Sequence, residues 1–184
     1  MIRIISGMHR GRKIKVPSKN VRATSDQVRE ALFNILSSLL NWGEITVLDL
    51  YAGSGSLGLE ALSRGAKKAI FVELSKENIK TLKQNIELIF PEHKKIEIFQ
   101  NKALQWITQL TFSAHRYVVF LDPPFTSNEY DLILDKLSIL SNIKKESIIV
   151  VESSERREIV FPKNMELLKH RQYGSVTLDI LRKC

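Results

Sequence analysis

The chain has 184 residues, of which 43% are hydrophobic and 26% charged, and its net charge is +8. That length favours one domain whose core needs neither disulfides nor metals. Its single cysteine, Cys184, and its scattered histidines offer no metal-ligand spacing, no apolar run reaches the ~20 residues that cross a bilayer, and the charged N-terminus is no signal peptide, so a cytoplasmic protein without metal or membrane partner is expected.

The charge is unevenly spread. Residues 1–22 hold seven basic side chains (Arg3, Arg10, Arg12, Lys13, Lys15, Lys19 and Arg22) and no acid. The other 162 residues carry 21 basic and 20 acidic side chains. One basic block on a nearly neutral body attracts polyanions by counterion release and steering. Here Ile and Val alternate with the charges, which predicts a folded ribbon rather than a solvated tail. Arg10, Arg12, Lys13 and Arg22 are the candidate contacts to nucleic acid.

Residues 2–5 and 12–16 alternate apolar and basic around Gly7 and Gly11, which predicts a β-hairpin. A loop follows over 17–24, with Thr24, Ser25 and Asp26 as N-cap candidates. Val28, Ala31, Leu32, Ile35, Leu36 and Leu39 recur at helical spacing, so a helix runs to about Leu40. Strands are predicted over 44–50, 68–73, 95–99, 117–121 and 147–152, separated by helices over 56–63, 75–90, 103–110 and 129–141. The end, 165–170 and 175–181, is predicted as a hairpin turning at Tyr173-Gly174. Alternating α and β elements with apolar strands predict a seven-stranded, mostly parallel sheet covered on both faces. Composition suggests one boundary, between a basic hairpin-and-helix extension over 1–43 and an α/β body over 44–184.

Gly53, Gly55 and Gly58 fit the G-x-G-x-x-G pattern between a predicted strand and helix. Glycines there allow a ligand to approach the backbone. Glu73 ends the next strand, placed to accept hydrogen bonds from ribose hydroxyls. This much fits NAD as well as S-adenosylmethionine. Asp49, however, ends its strand four residues before Gly53, where it can face an ammonium such as that of a methionyl group, and Tyr51-Ala52 lengthen the turn. The chain is also short for an NAD oxidoreductase with its own substrate domain. These details favour S-adenosylmethionine, with Asp49, Ala52, Gly53, Gly55 and Glu73 as candidate cofactor residues.

The second motif is Asp122-Pro123-Pro124-Phe125, after the apolar strand ending at Leu121. Open α/β sheets bind ligands at that edge. The prolines fix the backbone and are expected to leave carbonyls unpaired by neighbours. Asp122 and the Pro123 carbonyl side by side would accept both hydrogens of an exocyclic –NH2, with Phe125 stacking on the base. Such an amine is a poor nucleophile because its lone pair is delocalised into the ring. Accepting its hydrogens aims that lone pair at a methyl group, and the rest is positioning and electrostatics. The motif serves adenine N6 in DNA or RNA as readily as guanine N2.

Over nearly its whole length the sequence resembles the bacterial small-subunit ribosomal RNA guanine-N2 methyltransferases of the RsmD type. The matching stretches are Arg3-Ile-Ile-Ser-Gly7 with Gly11-Arg-Lys-Ile14, Thr24 through Asn34, Asp49 through Arg64, and Leu121 through Phe125, with Val151-Glu-Ser153 and Tyr173-Gly174 near the end. The resemblance implies a Rossmann-like class I methyltransferase fold with an N-terminal hairpin extension. It implies S-adenosylmethionine as donor, and a guanosine of 16S ribosomal RNA, free or in a small-subunit assembly particle, as acceptor. By matching position Asp49, Gly53, Gly55 and Glu73 would hold the cofactor, and Asp122, Pro123 and Phe125 the base. Two positions depart from the family pattern. Lys102 stands where an acid or amide faces the adenine amino group, so Asn101 is the candidate substitute, and Ala23 replaces a proline between Arg22 and Thr24. Trp42 and Trp106 read as core. Arg29 and Glu30 read as cleft-lining or as a surface pair, and Glu152 as functional or as a cap.

Overall fold

The computed structural model describes residues 2–17, 25–92, 94–109, 115–124 and 127–184. Strands β1 (Ile2–Arg3) and β2 (Lys13–Ile14) pair antiparallel, a shorter hairpin than the alternation predicts. Helix α1 (Asp26–Leu39) begins where the Ser25 hydroxyl accepts the Val28 N–H at 3.3 Å. A one-turn 3-10 helix, Trp42–Glu44, leads into β3 (Thr46–Asp49). Then follow α2 (Ser56–Ser63), β4 (Lys68–Glu73), α3 (Lys76–Ile89), β5 (Ile96–Gln100), α4 (Ala103–Thr108), β6 (Tyr117–Leu121), α5 (Tyr130–Ile139) and β7 (Ile148–Ser154). The chain closes with β8 (Met165–Tyr173) and β9 (Val176–Lys183). Their turn is Gly174-Ser175, one residue later than predicted, because Tyr173 still pairs with Val176 and the left-handed φ of 60° falls on Gly174.

The sheet order is β5-β4-β3-β6-β7-β9-β8, with β9 antiparallel to both neighbours and the other contacts parallel. Successive strand residues face opposite sides. Val47, Phe71, Val118, Phe120 and Val150 pack with α1, α2 and α3, and with Ile4 and Ile14 of the hairpin. Leu48, Ile70, Val72, Val119, Leu121 and Val151 pack with α4 and α5 on the other face. Trp42 and Trp106 are buried in these two cores. Full burial of each Leu- or Phe-sized side chain contributes about 1.5–3 kcal/mol. Residues on both sides of position 43 share one core.

Polar contacts fix the hairpin to the body. The fully buried Glu60 carboxylate accepts the N–H groups of Ile5 (2.7 Å) and Ser6 (3.0 Å) and the Arg64 guanidinium (2.7 Å). Arg29 is neither a cleft nor a surface residue. It is fully buried, and its guanidinium donates to the Arg3 carbonyl at 2.6 Å and to Asp26 at 2.7 Å, tying β1 to α1. Glu30 is exposed.

Candidate active site

Strand β3 connects outward through β4 to β5, and the chain then returns to β6 on the other side of β3. Ligands bind in α/β sheets at the carboxyl ends of the strands flanking such a switch point. A cavity of about 880 Å³ opens there, lined among others by Tyr51, Gly53, Glu73, Asn101, Asp122 and Glu152. The size suits a cofactor with part of a second substrate, since ligand pockets run to ~300–1,000 Å³.

The glycine turn forms one wall. Gly53 lines the cavity, and its N–H donates to Glu73 Oε2 at 2.8 Å. Glu73 Oε1 accepts the Ser75 N–H at 2.7 Å. The carboxylate is thus fixed with lone pairs left for hydroxyl donors. Asn101 lines the cavity beside Lys102, its side-chain oxygen accepting the Lys102 N–H at 2.8 Å. An Asn side-chain oxygen has a second lone pair.

The other two glycines also answer to the protein's own packing. A Cβ on Gly55, whose φ is 83°, would lie 2.4 Å from Leu82 of α3, and one on Gly58 would lie 2.3 Å from the Phe71 ring. Gly55 therefore admits α3, and Gly58 lets α2 lie against β4. Asp49 and Ala52 are chain neighbours of the lining residues Leu50, Tyr51 and Gly53, and Gly55 follows two residues after Gly53. Ala52 donates its N–H to the Val72 carbonyl at 3.1 Å. Asp49 is 3% exposed and accepts the Gly58 N–H at 3.1 Å. Burial pushes its carboxyl up to about 7; the Gly58 N–H opposes this and the Glu73 charge adds to it.

The opposite wall is the Asp-Pro-Pro loop. Asp122 and Pro123 line the cavity. The carbonyls are not left unpaired as expected. The Tyr130 hydroxyl at the start of α5 reaches the Pro123 carbonyl at 3.3 Å, and Ser127 N–H donates to the Pro124 carbonyl at 2.7 Å. One lone pair remains on each oxygen. Burial, then the nearby Glu152 and Asp49 charges, holds the Asp122 carboxyl well above the usual carboxylate range. Tyr130 also reaches the Glu152 carbonyl at 3.2 Å, and the Arg157 guanidinium lies 4.5 Å over the Tyr130 ring. Arg157 donates to the Ser127 carbonyl, and Tyr51 donates to Glu129 at 2.7 Å. Tyr130, Arg157 and Tyr51 were not singled out as supports in the sequence, because their contacts to Glu152, Ser127 and Glu129 join residues 22, 30 and 78 positions apart.

Phe125 and Arg22 lie outside the described residues. Arg10, Arg12 and Lys13 are exposed. They sit on the hairpin tip and the start of β2. Met8, at that tip, donates its N–H to the Ser63 carbonyl at 2.8 Å. The tip thus packs on the C-terminal end of α2, while the cavity wall meets its N-terminal end. Among the described residues, no helix is long and apolar enough to cross a membrane, and no group of side chains could hold a metal ion.

The strand order, the switch-point cavity and the acids at the ends of β3, β4 and β6 define a class I methyltransferase fold. The chain belongs to the family described as Conserved hypothetical protein 95, whose model matches residues 2–182. It is 39% identical over 177 residues to Ribosomal RNA small subunit methyltransferase D of Haemophilus influenzae, covering 96% of this chain and 91% of that one. It is 33% identical to the Escherichia coli K12 protein of the same name, over 99% of this chain and 90% of the relative. The solved Escherichia coli protein yhhF superposes with a TM-score of 0.86 at 32% identity, covering 99% of this chain and 97% of the other. The chain is a methyltransferase.

Proposed function

We propose that this chain transfers a methyl group from S-adenosylmethionine to the exocyclic N2 of a guanosine in 16S ribosomal RNA, in the cytoplasm, with free RNA or a small-subunit assembly particle as substrate. The observation that carries the reading is that Asp122 and Pro123, just after β6, line a cavity whose other wall holds Glu73. The relatives' action on ribosomal RNA and the basic block over 1–22 favour RNA as acceptor.

The residues present fit the donor. Glu73 would accept the ribose hydroxyls, and Asn101 and Gly53 would border the adenosine. Asp49, whose buried carboxyl is held near neutrality of its own accord, would regain its charge opposite an ammonium. When bound, the donor supplies an electrophilic methyl on a sulfonium. Asp122 would accept one amine hydrogen and Pro123 the other, drawing the nitrogen lone pair out of the ring. A carboxylate with raised basicity is well matched to taking the proton the amine loses. Phe125 would stack on the base. Residues 1–43 would serve as the RNA-contacting extension of a methyltransferase domain over 44–184, with Arg10, Arg12, Lys13 and Arg22 on phosphates.

The test is transfer of labelled methyl to ribosomal RNA from cells lacking the protein, followed by nucleoside analysis. N2-methylguanosine is expected. N6-methyladenosine would overturn the guanine reading in favour of an adenine methyltransferase. Asp122→Ala should leave cofactor binding intact and slow transfer by ~10²–10⁴, the range for losing one positioned polar group.

A further inference from the structure

Glu152 stands beside Asp122. Leu121 and Val151 are partners in the parallel β6–β7 ladder, so the next residue on each strand emerges at the same level. Phe120 and Val150 face the α1 side of the sheet, as does Glu152 two residues on in β7, while Asp122 directly follows the end of β6. Asp122 and Glu152 both line the cavity, and Glu152 is only 5% exposed. One hydroxyl, that of Tyr130, lies within 3.3 Å of the Pro123 carbonyl and 3.2 Å of the Glu152 carbonyl, which fixes the spacing of the two strand ends.

We propose that Glu152 specifies the base: its carboxylate accepts the N1–H of guanine while Asp122 accepts a hydrogen of the neighbouring 2-amino group. This rests on the guanine-N2 reading above. Guanine presents N1–H and N2–H donors side by side on its Watson–Crick edge, and two adjacent carboxylates are the matching acceptors. Adenine presents a lone pair at N1, which would face the lone pairs of Glu152. A pocket whose acceptor faces a substrate N–H discriminates against an analogue that presents a lone pair there, because acceptor then faces acceptor.

The probe is 2,6-diaminopurine, which keeps the 2-amino nucleophile but carries a lone pair at N1. Small subunits would be reconstituted with 16S ribosomal RNA bearing guanine or 2,6-diaminopurine at the mapped target position. The wild-type protein should methylate guanine with a kcat/KM roughly 10- to 100-fold higher. Glu152→Gln, whose amide can donate to the N1 lone pair, should lose on guanine, gain on 2,6-diaminopurine and close most of that gap. Its binding of S-adenosylhomocysteine should be unchanged, which also reports that it folds. Equal methylation of the two bases by the wild-type protein overturns the proposal without any variant, as does an undiminished gap in Glu152→Gln. Absence of N2-methylation on guanine in the wild type would instead sink the guanine reading itself, so the two failures are distinct.

Discussion

The backbone N–H of Gly53 donates to Glu73 at 2.8 Å, joining the turn after β3 to the end of β4. With Ser75 N–H on its other oxygen, the carboxylate cannot swing away from the cavity. A ribose would then meet a pre-oriented, charged acceptor, and hydrogen bonds to charged groups are worth about 1.5–3 kcal/mol each. Glu73→Ala should raise the dissociation constant for S-adenosylhomocysteine roughly 10- to 100-fold by calorimetry. Thermal stability should also fall, because two backbone donors lose their acceptor. An unchanged affinity would place the ribose elsewhere.

Asp49 gives a stability prediction with a definite sign. Its carboxyl is raised from 3.8 to about 7, first by burial, so the folded state binds its proton more tightly than the unfolded chain does. Its contribution is fully present below the unfolded value and is lost as pH climbs towards the folded one. Asp49→Asn keeps an acceptor for the Gly58 N–H and removes the titration. The stability of the variant relative to wild type should therefore grow between about pH 4 and pH 7, by about 1–4 kcal/mol, and stay level above that. Urea unfolding across that range is the measurement. A pH-independent difference would mean that the buried carboxyl is not holding its proton.

Asp122 must be ionised to accept a proton, and burial with the Glu152 and Asp49 charges raises its carboxyl well above the usual range. The rate of methyl transfer should therefore climb with pH above the region where ordinary carboxyls titrate. Asp122→Asn should abolish that limb and lower the plateau. A limb that survives in the variant would assign the titration to another group.

Both motifs that border the cavity were legible in the sequence, because each is contiguous and punctuated by Gly or Pro. Helix and strand order followed from periodicity, with boundaries shifted by one to three residues. What was not legible depends on contacts between distant residues. Arg29 reads as a cleft-lining or surface charge until β1 places the Arg3 carbonyl against it. Glu60 sits in a helical stretch, and only the docked hairpin shows why it is buried. The motif glycines look alike in sequence, yet Gly53 lines the cavity while Gly58 lies on Phe71. Tyr130 carries no motif, and its role appears only when β7 brings Glu152 within reach of the same hydroxyl.

The position of the basic hairpin separates affinity from chemistry. Its tip is held on Ser63, at the far end of α2 from the cavity, and a helix of eight residues spans about 12 Å. Arg10, Arg12 and Lys13 are exposed there, so RNA held by them must extend beyond the base in the cavity. Their binding to phosphates would offset the few kcal/mol needed to unstack that base. Replacing the three together by Ala should weaken RNA binding and reduce the slope of log affinity against log salt by roughly 0.7–0.9 for each phosphate no longer neutralised. Binding of S-adenosylhomocysteine should not change, since none of the three lines the cavity. At saturating RNA the methyl-transfer rate should match wild type. The measurement is RNA affinity across a salt series for both proteins, with kcat at saturation. Coincident slopes would show that the hairpin does not anchor RNA. A fall in kcat with slopes unchanged would mean that the hairpin acts on the shape of the site through Glu60 and α2.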